Sequence, residues 1–153
     1  MKKQILLPII FAFLSIGCKK ETPAPTPTEP VVEETAPAVS KTECYAYDAN
    51  GSKIELELQT EGTEANGTLN YALAEKDKNG GTFTGKLENN ILIADYHFQS
   101  EGVESTRQVA FKLEGDKLIE GYGEMTMDGT HFRDVSQIKF TSNMPLSKVD
   151  CTE

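Results

Sequence analysis

The stretch ILIADYHF, at residues 91–98, alternates apolar and polar side chains with a period of two. Its residues Leu92, Ala94, Tyr96 and Phe98 fall on one face, the pattern of a β-strand with one side in a core. The same alternation recurs between residues 41 and 153, in KIELELQ, TLNYALA, TFTGKLE, RQVAFKLE and LIEGYGEMTM, with further short strands around Cys44–Tyr47 and Phe132–Phe140. The sequence therefore predicts about eight strands.

Short turn signals separate these strands. They are DANG at 48–51, KNGG at 78–81, ENN at 88–90, EGD at 114–116 and MDG at 127–129. Such short connections require antiparallel neighbours, and no segment has a helical period. A meander of this size closes into a small barrel or stacks into a sandwich. We predict an all-β domain over residues 41–153, a closed lipocalin-like barrel, because Gly85, Gly121 and Gly123 at inward positions suit coiled strands.

The segment LIEGYGEMTM also predicts an acidic patch. Placing Gly121 and Gly123 inward leaves Glu120, Tyr122 and Glu124 on the solvent side. The chain has a formal net charge of −9. That charge argues against nucleic-acid binding and would attract a cationic protein. One hypothesis is therefore an acidic interaction or inhibitor module with Tyr122 as its aromatic anchor.

The predicted barrel interior supports the other hypothesis, a binding module for a small apolar or amphipathic ligand. Small eight-stranded barrels are either filled by side chains or hold one small ligand. The glycines predicted to face inward favour an empty space, because they have no side chain to fill the barrel. A large inward set favours filling: Tyr71, Phe83, Tyr96, Phe98, Phe111, Phe132 and Phe140. We expect a cavity.

The most polar connection is HFQSEGVESTR, at residues 97–107. It brings Glu101, Glu104 and Arg107 close together along the chain. Binding residues often lie on loops held by a rigid scaffold, so this stretch is a candidate binding loop. The alternative is a solvated hairpin end with local charge pairing.

Asp95 and His97 share a strand face, and a carboxylate beside an imidazole is an element of general-base catalysis. No serine or cysteine nucleophile motif accompanies them. His131 is the only other histidine, so the sequence offers no standard zinc site. We expect exposed polar positions, no enzymatic activity, no metal and no cofactor.

The first 40 residues differ in composition from the rest. Lys2, Lys3 and an apolar run from Ile5 to Ile16 have the layout of a signal peptide over residues 1–17. The run would rise about 18 Å as a helix, too short for a hydrocarbon core of roughly 30 Å. Five prolines with Thr, Ala, Val and Glu then predict a disordered tether over residues 18–40.

The segment Leu14–Cys18, LSIGC, resembles the lipobox of bacterial lipoproteins. The resemblance implies that the thiol of Cys18 receives a diacylglyceryl group and becomes the new N-terminus after cleavage. Such acylation, palmitate included, would anchor the chain to a membrane. Assigning Cys18 to lipid leaves Cys44 and Cys151, near the two ends of the domain. A disulfide between them would join the first and last strands and so favours closure; a two-cysteine metal site is the alternative.

The chain also resembles small, uncharacterised lipoproteins of Bacteroidota. The similarity lies in the CKKE start at residues 18–21 and in the runs IADYHFQSEGVESTRQVAF and LIEGYGEMTMDGT. It implies a lipid-anchored protein of the cell envelope, at the periplasmic or surface face of the outer membrane, and it implies no activity. In size and predicted closure, the domain is similar to lipoprotein inhibitors of C-type lysozyme. The segment of this chain nearest to the serine-glycine loop of those inhibitors is Ser100–Gly102.

Overall fold

The computed structural model describes residues 40–151. The predicted signal peptide, Cys18 and residues 18–39 of the predicted linker lie outside them. Nine strands and one short 3-10 helix, at Val135–Gln137, form the described part of the chain. The strands are β1 Lys41–Ala49, β2 Ser52–Glu61, β3 Glu64–Ala72, β4 Asn79–Glu88, β5 Ile91–Ser100, β6 Val103–Glu114, β7 Lys117–Tyr122, β8 Lys139–Phe140 and β9 Leu146–Val149.

The prediction of a closed antiparallel barrel is confirmed. Strands β1 to β7 pair consecutively as antiparallel neighbours. Strand β9 then pairs with β7 on one side and with β1 on the other, which closes the sheet. Strand β8 lies outside this ring and pairs only with the end of β7. Closure pairs every strand of the ring on both sides, although β6 extends beyond the end of β7 from Val103 to Val109.

Tight turns explain why the strands follow one another as hairpins. Asn50–Gly51 and Asn89–Asn90 are two-residue connections in which every residue has a positive φ, between 51° and 76°. This left-handed backbone matches the twist of the flanking strands, and Asn and Gly adopt it most readily. The predicted turns DANG and ENN are therefore turns of the kind that set hairpin register.

The predicted disulfide between Cys44 and Cys151 is also confirmed. The two Cα atoms lie 5.2 Å apart, although 107 positions separate the residues along the chain. Cys44 lies opposite Val149 in the pairing of β1 with β9. The bond therefore ties together the first and last strands at the closure point of the barrel.

The barrel interior is packed with alternate residues from each strand of the ring. Phe83, Tyr96, Phe111 and Leu118 have at most 1% of their surface exposed. Burying side chains of this size contributes about 1.5–3 kcal/mol each to folding. The core also includes the following residues: Tyr45, Ile54, Leu56, Leu58, Ala65, Leu69, Tyr71, Leu92, Ala94, Val109 and Leu146.

Two charged residues are buried among residues 40–151, and one of them, Glu43, lies near the end of the barrel where β1 begins. Glu43 is 9% exposed and accepts a hydrogen bond of 2.6 Å from the ammonium group of Lys148. It also forms an ion pair with Lys41, with 2.9 Å between the nitrogen and oxygen atoms. Burial opposes the ionisation of Glu43, but the bonds from Lys148 and Lys41 outweigh it and lower the pKa of this carboxyl. The ion pair therefore adds a second link between β1 and β9.

The predicted facing of LIEGYGEMTM is wrong. Leu118 and Glu120 face the interior, whereas a Cβ atom on Gly121 would meet Ile138 and Phe140, which cover β7 from outside. Phe132 covers Gly123 in the same way, so Phe132 and Phe140 do not fill the barrel as predicted. Both faces of β7 carry apolar contacts, and the period of two alone does not distinguish the inner face from a covered outer face.

Candidate ligand-binding cavity

The cavity lies where the wall of the barrel changes from strand to hairpin. Strand β6 has 12 residues and β7 has 6, and their pairing stops at Ala110 and Gly121. Beyond this point the amide of Gln108 donates to the carbonyl of Thr130 at 2.6 Å. The amide of Phe132 donates to the side chain of Gln108 at 3.2 Å. A hairpin around residues 124–133 thus completes the wall next to β6.

This irregular wall encloses a cavity of about 620 Å³ that is open to solvent on one side. Its volume is within the range of roughly 300–1,000 Å³ common for small-molecule sites. Apolar and aromatic side chains provide most of its surface. The lining consists of Tyr71, Leu73, Lys76, Asp77, Asn79, Arg107, Gln108, Val109, Glu120, Gly121, Tyr122, Gly123, Met125, Gly129, Phe132 and Met144.

Glu120 is the buried acid of this cavity. It is 8% exposed and accepts hydrogen bonds from the hydroxyls of Tyr71, at 2.7 Å, and Tyr122, at 3.1 Å. Burial and then the charge of Glu120 raise the pKa of Tyr71 well above its ordinary value. Both carboxylate oxygens of Glu120 are therefore held by neutral donors.

Arg107 is the basic residue of the cavity and lies among aromatic rings. The central carbon of its guanidinium group is 5.5 Å from the centroid of Tyr71, 5.8 Å from Tyr96 and 5.3 Å from Phe98. These distances are those of cation–π contacts. Its Nε atom is buried and has no hydrogen-bond partner.

Tyr96 fixes the aromatic group around Arg107. Its hydroxyl donates to the carbonyl of Leu69 at 2.8 Å and contacts the amide oxygen of Asn79 at 3.0 Å. Its ring stacks on Phe98 with 4.9 Å between centroids. Burial raises the pKa of Tyr96 to about 12. The ring of Tyr96, one of the three that contact Arg107, is thus held in place by both packing and hydrogen bonds.

The candidate binding loop at residues 97–107 is not a loop. Strand β5 continues to Ser100 and β6 begins at Val103, so only Glu101–Gly102 connects them. Glu101 and Glu104 are exposed, and Glu104 contacts the amide of Gln99 at 3.5 Å. Arg107 belongs to the interior. The structure therefore separates Arg107 from the two glutamates with which the sequence grouped it.

The predicted acidic patch is not a surface patch. Glu120 is in the interior, and Tyr122, 48% exposed, turns its hydroxyl towards it. Glu124 alone of the three is a fully solvated acid, 3.9 Å from Arg133. The cause is the reversed facing of β7, which places Glu120 on the same side as Leu118.

Asp95 and His97 lie on the outer face of β5, as their spacing indicates. The ring of His97 contacts the hydroxyl of Thr106 at 2.9 Å, whereas Asp95 is 3.7 Å from His131 of the hairpin. The two residues therefore do not form the carboxylate–imidazole pair of a catalytic site. Residues 40–151 bring together no group of three or more His, Cys, Asp or Glu side chains suited to a metal ion.

The sequence contained a signal for the cavity residues that the prediction did not use. Arg107 is two positions before Val109 in the inward series of β6, and Glu120 is two positions after Leu118 in β7. Continuing the inward series of each strand by one more residue places the side chains of Arg107 and Glu120 inside the barrel. The charges themselves argued against that step, because charged residues are rarely buried without a partner.

No protein-family profile matches this chain, and neither a characterised protein nor a solved structure matches it significantly. Within residues 40–151, no helix is both long and apolar enough to span a membrane. The class of protein is thus defined by the fold and the cavity, a small disulfide-linked β-barrel with an amphipathic cavity at one end.

Proposed function

We propose that the barrel binds a small amphipathic molecule in the cavity between β6, β7 and the hairpin at residues 124–133. The observation that carries this proposal is the cavity itself, about 620 Å³ and lined by both apolar and polar side chains. The core of the barrel is close-packed, as protein interiors are, so an open space of this size at one end is a distinct feature. Leu73, Met125 and Met144 offer apolar contacts, and Arg107 and Glu120 offer polar ones.

We also propose that the protein acts as a lipid-anchored lipoprotein of the cell envelope, through Cys18. The Cys44–Cys151 disulfide supports export, since such bonds persist in oxidising compartments. Strand β1 begins at Lys41, at the barrel end opposite the cavity, because Lys41 pairs with Thr60 at the far end of β2.

The anchoring is tested by Cys18→Ala. We expect the variant to remain folded and to leave the membrane fraction, while the wild-type chain takes up radiolabelled palmitate. A wild-type chain without label, or a variant that stays in the membrane fraction, would show that Cys18 is not the anchor.

Ligand binding is tested with the full chain carrying Cys18→Ala, so that no acyl group competes for the cavity. Fluorescent probes such as N-phenyl-1-naphthylamine, which is neutral, and anilinonaphthalene sulfonate, which is anionic, report apolar binding. We expect saturable binding of at least one probe. Met144→Trp should lower the affinity about tenfold or more, because the indole would occupy cavity space.

Met127→Trp is the matched control, because Met127 is fully exposed. It adds the same indole outside the cavity and should leave the affinity unchanged. Binding of neither probe, or equal binding by the Met144 and wild-type chains, would contradict the proposal.

The interaction-module hypothesis has less support. Its aromatic anchor Tyr122 remains half exposed, but Glu120 is buried and does not contribute to an acidic surface. Glu101 and Glu104 remain available at the tip of the β5–β6 hairpin. We therefore place the function in the cavity.

A further inference from the structure

Arg107 is a partly buried basic residue without an anionic partner. Among residues 40–151, no carboxylate lies within ion-pair distance of Arg107, whereas Lys41, Lys53, Lys86, Lys112, Arg133 and Lys148 each have one. Lys76, Lys78, Lys117 and Lys139 also have no such partner, but all four are exposed to solvent. Its Nε atom is buried without an acceptor. A buried N–H without an acceptor is destabilising, so such groups call for an explanation.

The aromatic rings hold Arg107 but do not satisfy it. The rings of Tyr71, Tyr96 and Phe98 lie within cation–π distance of the guanidinium group and stabilise its positive charge. They accept none of its in-plane hydrogen bonds. Arg107 therefore lines the cavity as a charged group, and its Nε–H has no acceptor among residues 40–151.

Glu120, the other charge in the cavity, does not supply the missing acceptor. It lies beyond ion-pair distance of Arg107, and each of its oxygens already accepts a hydrogen bond from a tyrosine. The hydroxyl of Tyr71 is directed to Glu120 while its ring contacts Arg107. Tyr71 thus lies between Glu120 and Arg107 and contacts both of them.

We propose that Arg107 receives the oxyanion of the ligand, and that the ligand is an amphipathic organic anion such as a carboxylate or sulfonate. A planar guanidinium group binds such oxyanions through two parallel hydrogen bonds. The apolar part of the ligand lies against Leu73, Met125 and Met144, which line the same cavity. This inference rests on the proposed ligand binding in the cavity.

The test compares two probes with related ring systems in the full chain carrying Cys18→Ala. Anilinonaphthalene sulfonate has the oxyanion, and N-phenyl-1-naphthylamine lacks it. We expect Arg107→Met to weaken sulfonate binding about ten- to hundredfold, the range expected for hydrogen bonds to a charged group. Binding of the neutral probe should change by less than about twofold, since methionine retains much of the apolar packing.

Lys112→Met is the matched control, because it removes the same charge from the same strand. Lys112 pairs with Glu114 and is 42% exposed, outside the cavity. It should change the affinity for neither probe. Arg107→Lys provides a second variant at the site: it keeps the charge without the planar fork and should weaken sulfonate binding by a smaller factor. Near-ultraviolet circular dichroism verifies that each variant is folded.

Competition distinguishes an amphipathic anion from a free one. Decanoate should displace the sulfonate probe, whereas decanol and inorganic phosphate should each do so at least about tenfold less well. Equal competition by phosphate and decanoate would overturn the amphipathic assignment.

The failures of the two proposals are distinguishable. If neither probe binds, the cavity is not a ligand site and the proposed function fails. If both probes bind and Arg107→Met changes neither affinity or both alike, the proposed function stands and the role of Arg107 is overturned.

Discussion

The hydroxyl of Tyr71 donates a 2.7 Å hydrogen bond to the carboxylate of Glu120 inside the barrel, across 49 positions of sequence. The bond joins β3 to β7, two strands that are not neighbours in the sheet. It holds a negative charge in a cavity that also contains Arg107. The polar organisation of the cavity depends on this pair.

A double-mutant cycle measures the strength of the pair. We expect Tyr71→Phe and Glu120→Leu to be coupled by about 1.5–3 kcal/mol in unfolding free energy, because the bond is buried and has a charged acceptor that leucine removes. Urea unfolding of the wild type, both single variants and the double variant gives the value. Tyr122→Phe is the control. Because Tyr122 is 48% exposed, its coupling to Glu120 should be weaker. Additive effects of Tyr71→Phe and Glu120→Leu would show that the bond does not stabilise the fold.

Charge in the cavity provides a second prediction. Glu120→Gln removes a negative charge near Arg107, so an anionic probe should bind about three- to tenfold more tightly. The affinity for a neutral probe should stay the same. Glu124→Gln is the control, because its side chain is 81% exposed and solvent screens its charge. Weaker anion binding by the Glu120 variant would contradict the proposed separation of the two charges.

The buried tyrosines predict a loss of stability at alkaline pH. The pKa of Tyr96 is raised from its ordinary value of 10.0 to about 12, so the folded state holds this proton more tightly than the unfolded chain. The resulting stability is fully present below pH 10 and is lost as the pH rises towards 12. Tyr96→Phe should remove about 1.4 kcal/mol per pH unit of that slope. Urea unfolding between pH 8 and 12 measures it, and an unchanged slope would contradict the assignment.

Glu43 predicts a loss of stability in acid. Its pKa is lowered from 4.5, so its contribution is present above that value and is lost as the pH falls through the folded pKa. At pH 7, Glu43→Gln should destabilise the barrel by about 1–3 kcal/mol, and the difference from wild type should shrink below about pH 4. Glu55→Gln breaks the exposed pair with Lys53 and should cost less than about 0.5 kcal/mol. Equal effects of the two variants would refute the special role of Glu43.

The disulfide predicts a large effect of its removal. With a sequence separation of 107, the loop closed by Cys44 and Cys151 corresponds to about 4–5 kcal/mol in the chain-entropy account. The double variant Cys44→Ala/Cys151→Ala should lose stability of this order in urea unfolding, whereas Cys18→Ala should not. A double variant as stable as the wild type would mean that strand pairing alone maintains closure.

The fold was predictable because its signals are local. Alternation in ILIADYHF and turns such as DANG determine strands and hairpins within a few residues, and both are in the structure as predicted. The cysteine arithmetic added a long-range link between the first and last strands, where the ring closes.

The cavity was less predictable because its residues depend on packing between distant segments. The hairpin at residues 124–133 and β8 cover β7 from outside, which made Gly121 and Glu120 exchange their predicted faces. The hydrogen bond between Tyr71 and Glu120 and the cation–π contacts of Arg107 with three rings require the closed barrel, so no local sequence pattern indicates them. Although Gly121 lines the cavity, a Cβ atom there would already meet Ile138 and Phe140, so Gly121→Trp would also displace these side chains.

Methionine NMR tests the central claim, that the cavity is the ligand site, most directly. Three of the four methionines lie among the described residues: Met125 and Met144 line the cavity, and Met127 is fully exposed. With ¹³C-labelled methyl groups in the full chain carrying Cys18→Ala, we expect saturable shifts of Met125 and Met144 on titration with decanoate, and none of Met127. Decanoate that leaves Met125 and Met144 unshifted, or that shifts Met127 equally, would contradict the claim.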